Sequence, residues 1–316
     1  MQGSERLEGN SLAETIAHAS TMPSADQTPA LDLFTELRPR LFSIAYRMLG
    51  TRADAEDVVQ DAWLRWQGSD ASVVRSAEAW LVTTVTRLAI DRLRAAKAQR
   101  EAYVGWWLPE PLVAVDEQTP EAAAELAGEL SVAFLWVLER LAAEERAAFL
   151  MREVFDYDYA EIATLLDKSE AACRQMVHRA AARVRAERPR FQVTQGEHRK
   201  LLAGFMRAAA SGDRSAIEAL LAEDVSLVSD GGGKVPSFAR VLTGGRRIAN
   251  LYWVTQRRLA GRIDWRLVRI NGETGLVRYV DREPESALAF VTNGSRIVAI
   301  YSIRNPDKLA SIAPLQ

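Results

Sequence analysis

DYDYAEIATLLDKSEAACRQMVHRA, residues 156–180, has the grammar of two short helices joined by a tight turn. Asp158 is placed to cap the first helix, with Glu161 three residues on as its capping-box partner, and Ile162, Leu165 and Leu166 form its buried side. Asp167, Lys168 and Ser169 make the turn, with Ser169 placed to cap the second helix. In that second helix Cys173, Val177, Ala180 and Val184 share an inward face, while Arg174, Gln175, His178 and Arg179 lie outward or at its edge. Arg183 and Arg185 extend the positive charge, and Arg188 and Arg190 follow. These residue types pair with guanine or adenine edges, or with phosphate. A charge run on a helix is commonly only a solvated face. Here a tight turn, two caps and a second helix nearly free of acids point to a DNA-reading helix-turn-helix. Cys173 reads as a small core residue.

The rest of the chain is not basic. Its 316 residues carry a formal net charge of -2, with 48% hydrophobic and 26% charged residues. That is the balance of a water-soluble globular protein long enough for two or three domains. Nucleic-acid affinity must then come from local patches. No apolar run is long enough to span a bilayer, and residues 1–30 are polar without an apolar core, so a disordered leader and a cytoplasmic protein are expected. One cysteine allows no internal disulfide, and three histidines assemble no zinc site, so no metal or cofactor is expected.

Upstream of the helix-turn-helix the sequence stays helical. Leu33, Leu37, Leu41, Ile44, Ala45 and Met48 form a stripe that Gly50 ends. Thr51 begins a second helix, with Asp54 as its capping-box partner, a buried face of Ala55, Val58, Val59, Ala62 and Trp66, and an opposite face of Asp57, Gln60, Asp61 and Leu64. A third helix, residues 77–99, grows basic through Arg87, Arg92, Arg94 and Lys97, and Trp80 near its start reads as core. Residues 105–120 are Pro-rich without a period, which predicts an extended linker, and helices resume near Glu121. From residue 197 two short amphipathic helices, 201–210 and 215–222, precede five strand-like runs, with a helical YWVTQRRL among them and an Asn293-Gly294 hairpin signal between the last two. The chain is therefore all-α to about residue 190 and α+β beyond.

RPRLFSIAYRMLGTRADAEDVVQDAWLRW followed by AWLVTTVTRLAIDRLRAAKAQR resembles domain 2 of an extracytoplasmic-function (ECF) RNA polymerase sigma factor, and EERAAFLMREVFDYDYAEIATLLDKSEAACRQMVHRAAARV resembles its domain 4. WLPEP, DGGGKVP and NPDKL further resemble the subgroup that carries a SnoaL-like C-terminal domain. The resemblance implies a multidomain chain: sigma domain 2 over 31–102, a linker over 103–125, sigma domain 4 over 126–190 and a SnoaL-like regulatory domain over 197–316. It implies RNA polymerase core and promoter DNA as partners. Asp57, Gln60 and Asp61, with exposed Leu64, match the surface that binds the clamp helices of the polymerase. The stretch 76–100 matches the part that opens the minus-ten element, where Arg87, Arg92, Arg94 and Lys97 supply charge for the non-template strand. Arg174, Gln175, His178 and Arg179 match positions that read the minus-thirty-five element, with Met176 where a basic residue often stands.

Domains resembling the C-terminal one include isomerases and cyclases, which need a positioned carboxylate or histidine base. His198 at the first helix is expected to face solvent, and Asp230 and Asp264 have no evident partner, so catalysis is not expected. DGGGK lacks the spacing of a phosphate-binding loop and reads as a turn or contact loop. A built-in regulator is expected instead, docking through Trp107, Leu108 and Pro109 of the linker, through Asp230, Gly231, Gly232, Gly233 and Lys234, and through Asn305, Pro306, Asp307, Lys308 and Leu309, the last two groups projecting from the sheet as turn and chain end. A small-molecule ligand for this domain is left open. The rival to a sigma factor is a ligand-sensing regulator acting without polymerase, which would have no reason to carry the domain 2 signature.

Overall fold

The change from helical to strand periodicity near residue 190 is a change of architecture in the computed structural model, which describes residues 28–69, 74–114, 130–187, 191 and 193–316. The expected leader, the second half of the linker and the helix restart near Glu121 lie largely outside those residues. From Leu37 onward the chain forms one contact unit.

Three helices open it: α1 (Thr28–Leu49), α2 (Arg52–Gln67) and α3 (Ala77–Glu101). Gly50 ends α1 with a φ of 75°, a conformation that costs a glycine little. A Cβ there would also meet the Trp107 ring at 2.6 Å, so the glycine serves packing as well as the turn. The expected buried face of α2 is buried in full. Its start differs from expectation: Thr51 makes no side-chain cap to the backbone and instead donates its hydroxyl to Asp54 at 2.5 Å. The last turns of α1 are buried on every side, Arg47 and Tyr46 included, which its stripe of apolar residues does not announce.

Four helices follow the linker: α4 (Val132–Leu138), α5 (Ala143–Glu153), α6 (Tyr159–Leu166) and α7 (Glu170–Glu187). Asp158 and Glu161 form the predicted capping box, Asp167 closes α6 in a left-handed conformation, and Ser169 accepts a hydrogen bond from Ala172 N at 3.2 Å.

The C-terminal domain is α+β. Helices α8 (Gln195–Ser211), α9 (Arg214–Leu220) and α10 (Gly245–Arg258) accompany strands β2 (Leu221–Asp230), β3 (Leu242–Thr243), β4 (Ile263–Ile270), β5 (Glu273–Val280), β6 (Glu283–Thr292) and β7 (Ile297–Ile303), and α11 (Pro306–Leu309) follows. The strand begins at Leu221, so Ala222 lies in β2 and not in the preceding helix. The seventh strand of the sheet is β1 (Val113–Ala114) from the linker, and the order is β1-β4-β5-β6-β7-β2-β3. The linker is thus extended as expected but embedded: β1 pairs antiparallel with β4, and Leu108 is fully buried. Alternation gives the sheet two apolar faces. One packs Leu227, Leu276, Leu288 and Phe290 against Phe205 of α8 and Tyr252 of α10. The other packs Val228, Val277, Tyr301 and Ile303 against Leu108 of the linker and Val132 and Ala133 of α4. α4 and the linker therefore lie on the sheet face opposite α8 and α10, the face that also carries α11. No described helix is long and apolar enough to cross a membrane.

Candidate functional site

The outward face of α7 carries Arg174, Gln175, His178, Arg179 and Arg183, all exposed. Arg174 is paired with Glu170 at 2.6 Å and lies over the Tyr159 ring, Arg179 pairs with Glu145 at 3.1 Å, and Arg183 donates to the Arg140 carbonyl. Such exposed pairs hold a side chain weakly, at about 0.2–1 kcal/mol, and can be exchanged for phosphate or base. Gln175 and His178 have no side-chain partner among the described residues. Met176 turns inward and is buried, as are Cys173, Val177, Ala180 and Val184.

The basic residues of α3 behave differently. Arg87 donates through Nε to the Leu165 carbonyl at 2.9 Å and through Nη2 to that of Thr164 at 3.2 Å. Those carbonyls end α6, where a helix presents unpaired acceptors and a partial negative charge. Arg94 reaches Glu144 of α5 at 2.5 Å, and Glu144 also holds Lys168 of the helix-turn-helix turn at 3.1 Å. Arg92 pairs with Asp54 and Asp57, and Lys97 with Glu101. Beside these lies an open pocket lined by Arg65, Ser76, Trp80, Thr83 and Arg87, large enough for a base. Trp80 is half-buried, its ring against Trp66 and its side on this pocket, and so is not the core residue expected. A Trp at helical spacing reads as core because periodicity cannot tell a buried edge from a pocket wall.

On α2, Asp57, Gln60, Asp61 and Leu64 form one exposed face, with Leu64 57% accessible. Asp57 spends one oxygen on Arg92, whereas Asp61 has no partner among the described residues.

The three short motifs meet in one place. Asp230, at the end of β2, is wholly buried, and its carboxylate accepts from Tyr103 Oη at 2.6 Å, Gly232 N at 3.0 Å, Leu108 N at 2.9 Å and Lys308 Nζ at 2.8 Å. Lys308 is 6% exposed; its ammonium also donates to the Leu108 carbonyl and lies over the Trp107 ring at 3.9 Å. Burial holds the Lys308 pKa below the ordinary lysine range, with the Asp230 charge acting against that shift. Asn305 caps α11 and donates to Tyr103 at 2.9 Å, and a Cβ on Gly232 would collide with it at 2.5 Å. Lys234 bridges to Asp307 at 2.6 Å on the surface. Gly231 to Lys234 form a turn whose tip, Gly233 and Lys234, is exposed, but the NPDKL segment does not project as expected: Asn305, Lys308 and Leu309 are buried, as is Asp230 before the turn. Nor does Asp230 lack partners. Pro109 completes the linker segment that this cluster grips, and Pro306 opens α11.

A second junction, which sequence reasoning missed, ties α1 to everything else. Glu139, after α4, accepts from Arg100 of α3 and from Arg146 of α5, and the two guanidiniums donate onward to the Leu49 and Met48 carbonyls at the end of α1. Tyr46 of α1 donates to the Glu110 carbonyl at 2.5 Å and accepts from Asn271 of the C-terminal domain at 2.8 Å. Burial pushes the Tyr46 hydroxyl well above the ordinary tyrosine range. An arginine or tyrosine within an apolar stretch was the only available signal.

His198 is half-buried, its ring nitrogens 3.0 Å from Thr292 Oγ1 and the Thr274 carbonyl, and burial lowers its pKa. It is therefore a sheet-to-helix tether and not the solvent-facing residue expected, while Asp264 sits exposed on β4.

Residues 33–99 match the model of Sigma-70 region 2 and residues 132–184 that of Sigma-70, region 4. The chain is 37% identical over 295 residues to the ECF RNA polymerase sigma factor SigJ of Mycobacterium tuberculosis, covering 90% of this chain and 94% of that protein. It is 31% identical over 183 residues to the probable ECF RNA polymerase sigma factor SigI of the same organism, covering 56% of this chain and 61% of that one. The crystal structure of Mycobacterium tuberculosis SigJ superposes with a TM-score of 0.74 at 35% identity, covering 89% of this chain and 98% of that chain. With both sigma regions in order and a whole-length relative that shares its C-terminal domain, the chain belongs to the ECF family of RNA polymerase sigma factors.

Proposed function

We propose that this sigma factor reads the minus-thirty-five element with Arg174, Gln175, His178 and Arg179, with Arg183 on phosphate, and docks on core polymerase through Asp57, Gln60, Asp61 and Leu64. The single-stranded minus-ten element takes the pocket beside Trp80, with Arg87, Arg92, Arg94 and Lys97 along its backbone. Its C-terminal domain acts as a built-in clasp and not as a catalyst. The observation that carries this reading is Arg87: a residue for strand capture is spent on the carbonyls that end α6 of the helix-turn-helix. A sigma factor on polymerase must spread domains 2 and 4 across two promoter elements, so this arrangement has to open. The buried Asp230–Lys308 pair grips the linker between those domains, and α4 lies on the same sheet face. A tethered domain acts at an effective concentration that can reach the millimolar range, so a modest contact suffices. Against catalysis, the half-buried carboxylate Glu285 is held by Arg278 and Arg304, which outweigh its desolvation and lower its pKa, the wrong direction for a general base.

The test is run-off transcription with core polymerase, at equal concentrations of the full chain, a truncation before Asn305 and a truncation after Phe191. Loss of the NPDKL segment raises activity. Loss of the whole domain changes it differently, because any contact of that domain with polymerase goes too. Three indistinguishable activities overturn the clasp.

A further inference from the structure

The helix-covered face of the C-terminal sheet does not close completely. Between α10 and the ends of β2 and β7 it leaves a cavity of about 310 Å³, at the lower end of the roughly 300–1,000 Å³ typical of ligand sites. Its polar groups are unevenly satisfied. Glu285 is shared by Arg278 and Arg304, so two guanidiniums face one carboxylate. Arg258 lines the same cavity and has no acidic partner among the described residues. The Tyr252 hydroxyl makes no hydrogen bond within the described residues although the residue is 96% buried, 4% of its surface remaining accessible, and burial raises its pKa to about 12. The Ser229 and Ser302 hydroxyls, on residues paired across β2 and β7, are equally without partners and line the same wall. None of these hydroxyls is sealed away from the cavity, so beside a surplus of positive charge each is free to donate to a ligand that enters it. Most of the remaining lining is apolar, including Leu227, Phe238 and Leu251, with Ser237 and Thr255 among it.

We infer that this cavity binds a small organic carboxylate with an apolar body. Its head accepts from Tyr252, the two serines and the surplus guanidinium charge, and its tail lies on Leu251 and Phe238. The site is wired to the Asp230–Lys308 cluster. Ser229 precedes Asp230, and Arg304 lines the cavity with its side chain while its backbone N donates to the Asp230 carbonyl at 2.7 Å. Arg304 also donates to the Pro236 carbonyl just past the glycine turn. An anion that draws Arg304 inward shifts the residue next to Asn305, and occupancy is thereby felt at the clasp. This coupling rests on the proposed function; the binding does not.

Binding is measured by calorimetry on the full chain with octanoate and naphthoate as probes, against octan-1-ol and octylamine as neutral and cationic controls. The carboxylates bind one per chain, the controls at least tenfold more weakly, and Tyr252→Phe weakens the carboxylates about fivefold while leaving thermal unfolding unchanged. No binding at millimolar carboxylate, or octan-1-ol binding equally well in wild type and Tyr252→Phe, overturns the site. Run-off transcription with octanoate near the wild-type dissociation constant then changes more for wild type than for Tyr252→Phe. Bound octanoate without any change in transcription overturns the coupling, while the truncations above still decide the clasp by themselves.

Discussion

Two basic helices of similar composition meet different fates in this molecule. On α7 the arginines are exposed and held by surface partners that solvent or phosphate can replace. On α3 they are built into the contacts between domains: Arg87 on the end of α6, Arg94 on Glu144 of α5, Arg92 on two carboxylates of α2. On the proposed assignment, the upstream reader is presented and the downstream one is occupied. If the proposed readers are right, a free sigma factor arranged this way engages the two elements together only after its domains part, because the elements lie apart on DNA while the two helices share one block. The comparison teaches that a count of basic residues on a helix does not measure DNA-binding capacity; what the guanidiniums already hold does.

The comparison breaks most severely at the Asp230–Lys308 pair. Asp230→Ala leaves a buried ammonium unpaired, which costs about 3–5 kcal/mol, so the C-terminal domain should loosen from the linker and expose the segment around Trp107 to protease. Combining it with Lys308→Met should recover much of that loss, since removing both charges leaves no orphan. Limited proteolysis and thermal unfolding of the three forms read this directly. Equal unfolding for single and double variants shows that the pair is not what holds the linker.

The fold was legible where periodicity carries it. The capping box of Asp158 and Glu161, the face of α2 and the five longer strands of the C-terminal domain follow from local spacing and local caps, while the two-residue β3 does not. The helix-turn-helix candidates stand outward as their spacing requires. Illegible was everything decided by distant partners. Nothing in α1 shows that Arg146 and Arg100 will seal its last carbonyls, or that Asn271 will hold Tyr46 from more than two hundred positions away. Lys308 reads as a solvated charge until the wall of Trp107 and the carboxylate of Asp230 are in place. Short motifs showed which residues matter, and the fold supplied the reason: three separate segments furnish the acceptor, the donor and the ring of one buried pair.

On the presented side, Arg174→Ala should weaken binding of the holoenzyme to duplex promoter by about 1–3 kcal/mol if the guanidinium grips a base edge in two places. Arg183→Ala should cost less and nearly equally on every sequence, the mark of a phosphate contact. Promoter affinity measured at fixed salt on matched and mutated upstream elements separates the two. Equal loss on both DNAs for Arg174→Ala removes it from base reading.

On the occupied side, Arg87→Ala should act twice with opposite sign. It removes a charged donor from the α6 carbonyls, worth about 1.5–3 kcal/mol for bonds of this kind, so domains 2 and 4 part more readily and core polymerase binds faster. It also removes charge from the strand-capturing surface, so open complexes formed afterwards should be shorter-lived. Stopped-flow association with core and the decay of open complexes on a challenged template measure the two effects separately. A fall in both rules out the idea that Arg87 is withheld from DNA in the free protein.

The smallest effect belongs to the acidic face of α2, and it turns on which carboxylate is already engaged. Asp57 shares Arg92, itself paired with Asp54, and exposed pairs of this kind contribute about 0.2–1 kcal/mol. Asp57→Asn should therefore leave stability nearly unchanged and weaken core binding only slightly, because the Asp57 charge is already offset by Arg92, which keeps its pair with Asp54. Asp61 carries no such counter-ion, so Asp61→Asn should weaken core binding more than Asp57→Asn despite removing the same charge. Raising the salt should narrow the difference, since both carboxylates are exposed and screened within a Debye length of about 8 Å at physiological ionic strength. Equilibrium binding to core polymerase across a salt series decides it: identical losses for the two variants would mean that the polymerase displaces Arg92 on docking, and α3 would then be released by polymerase contact itself.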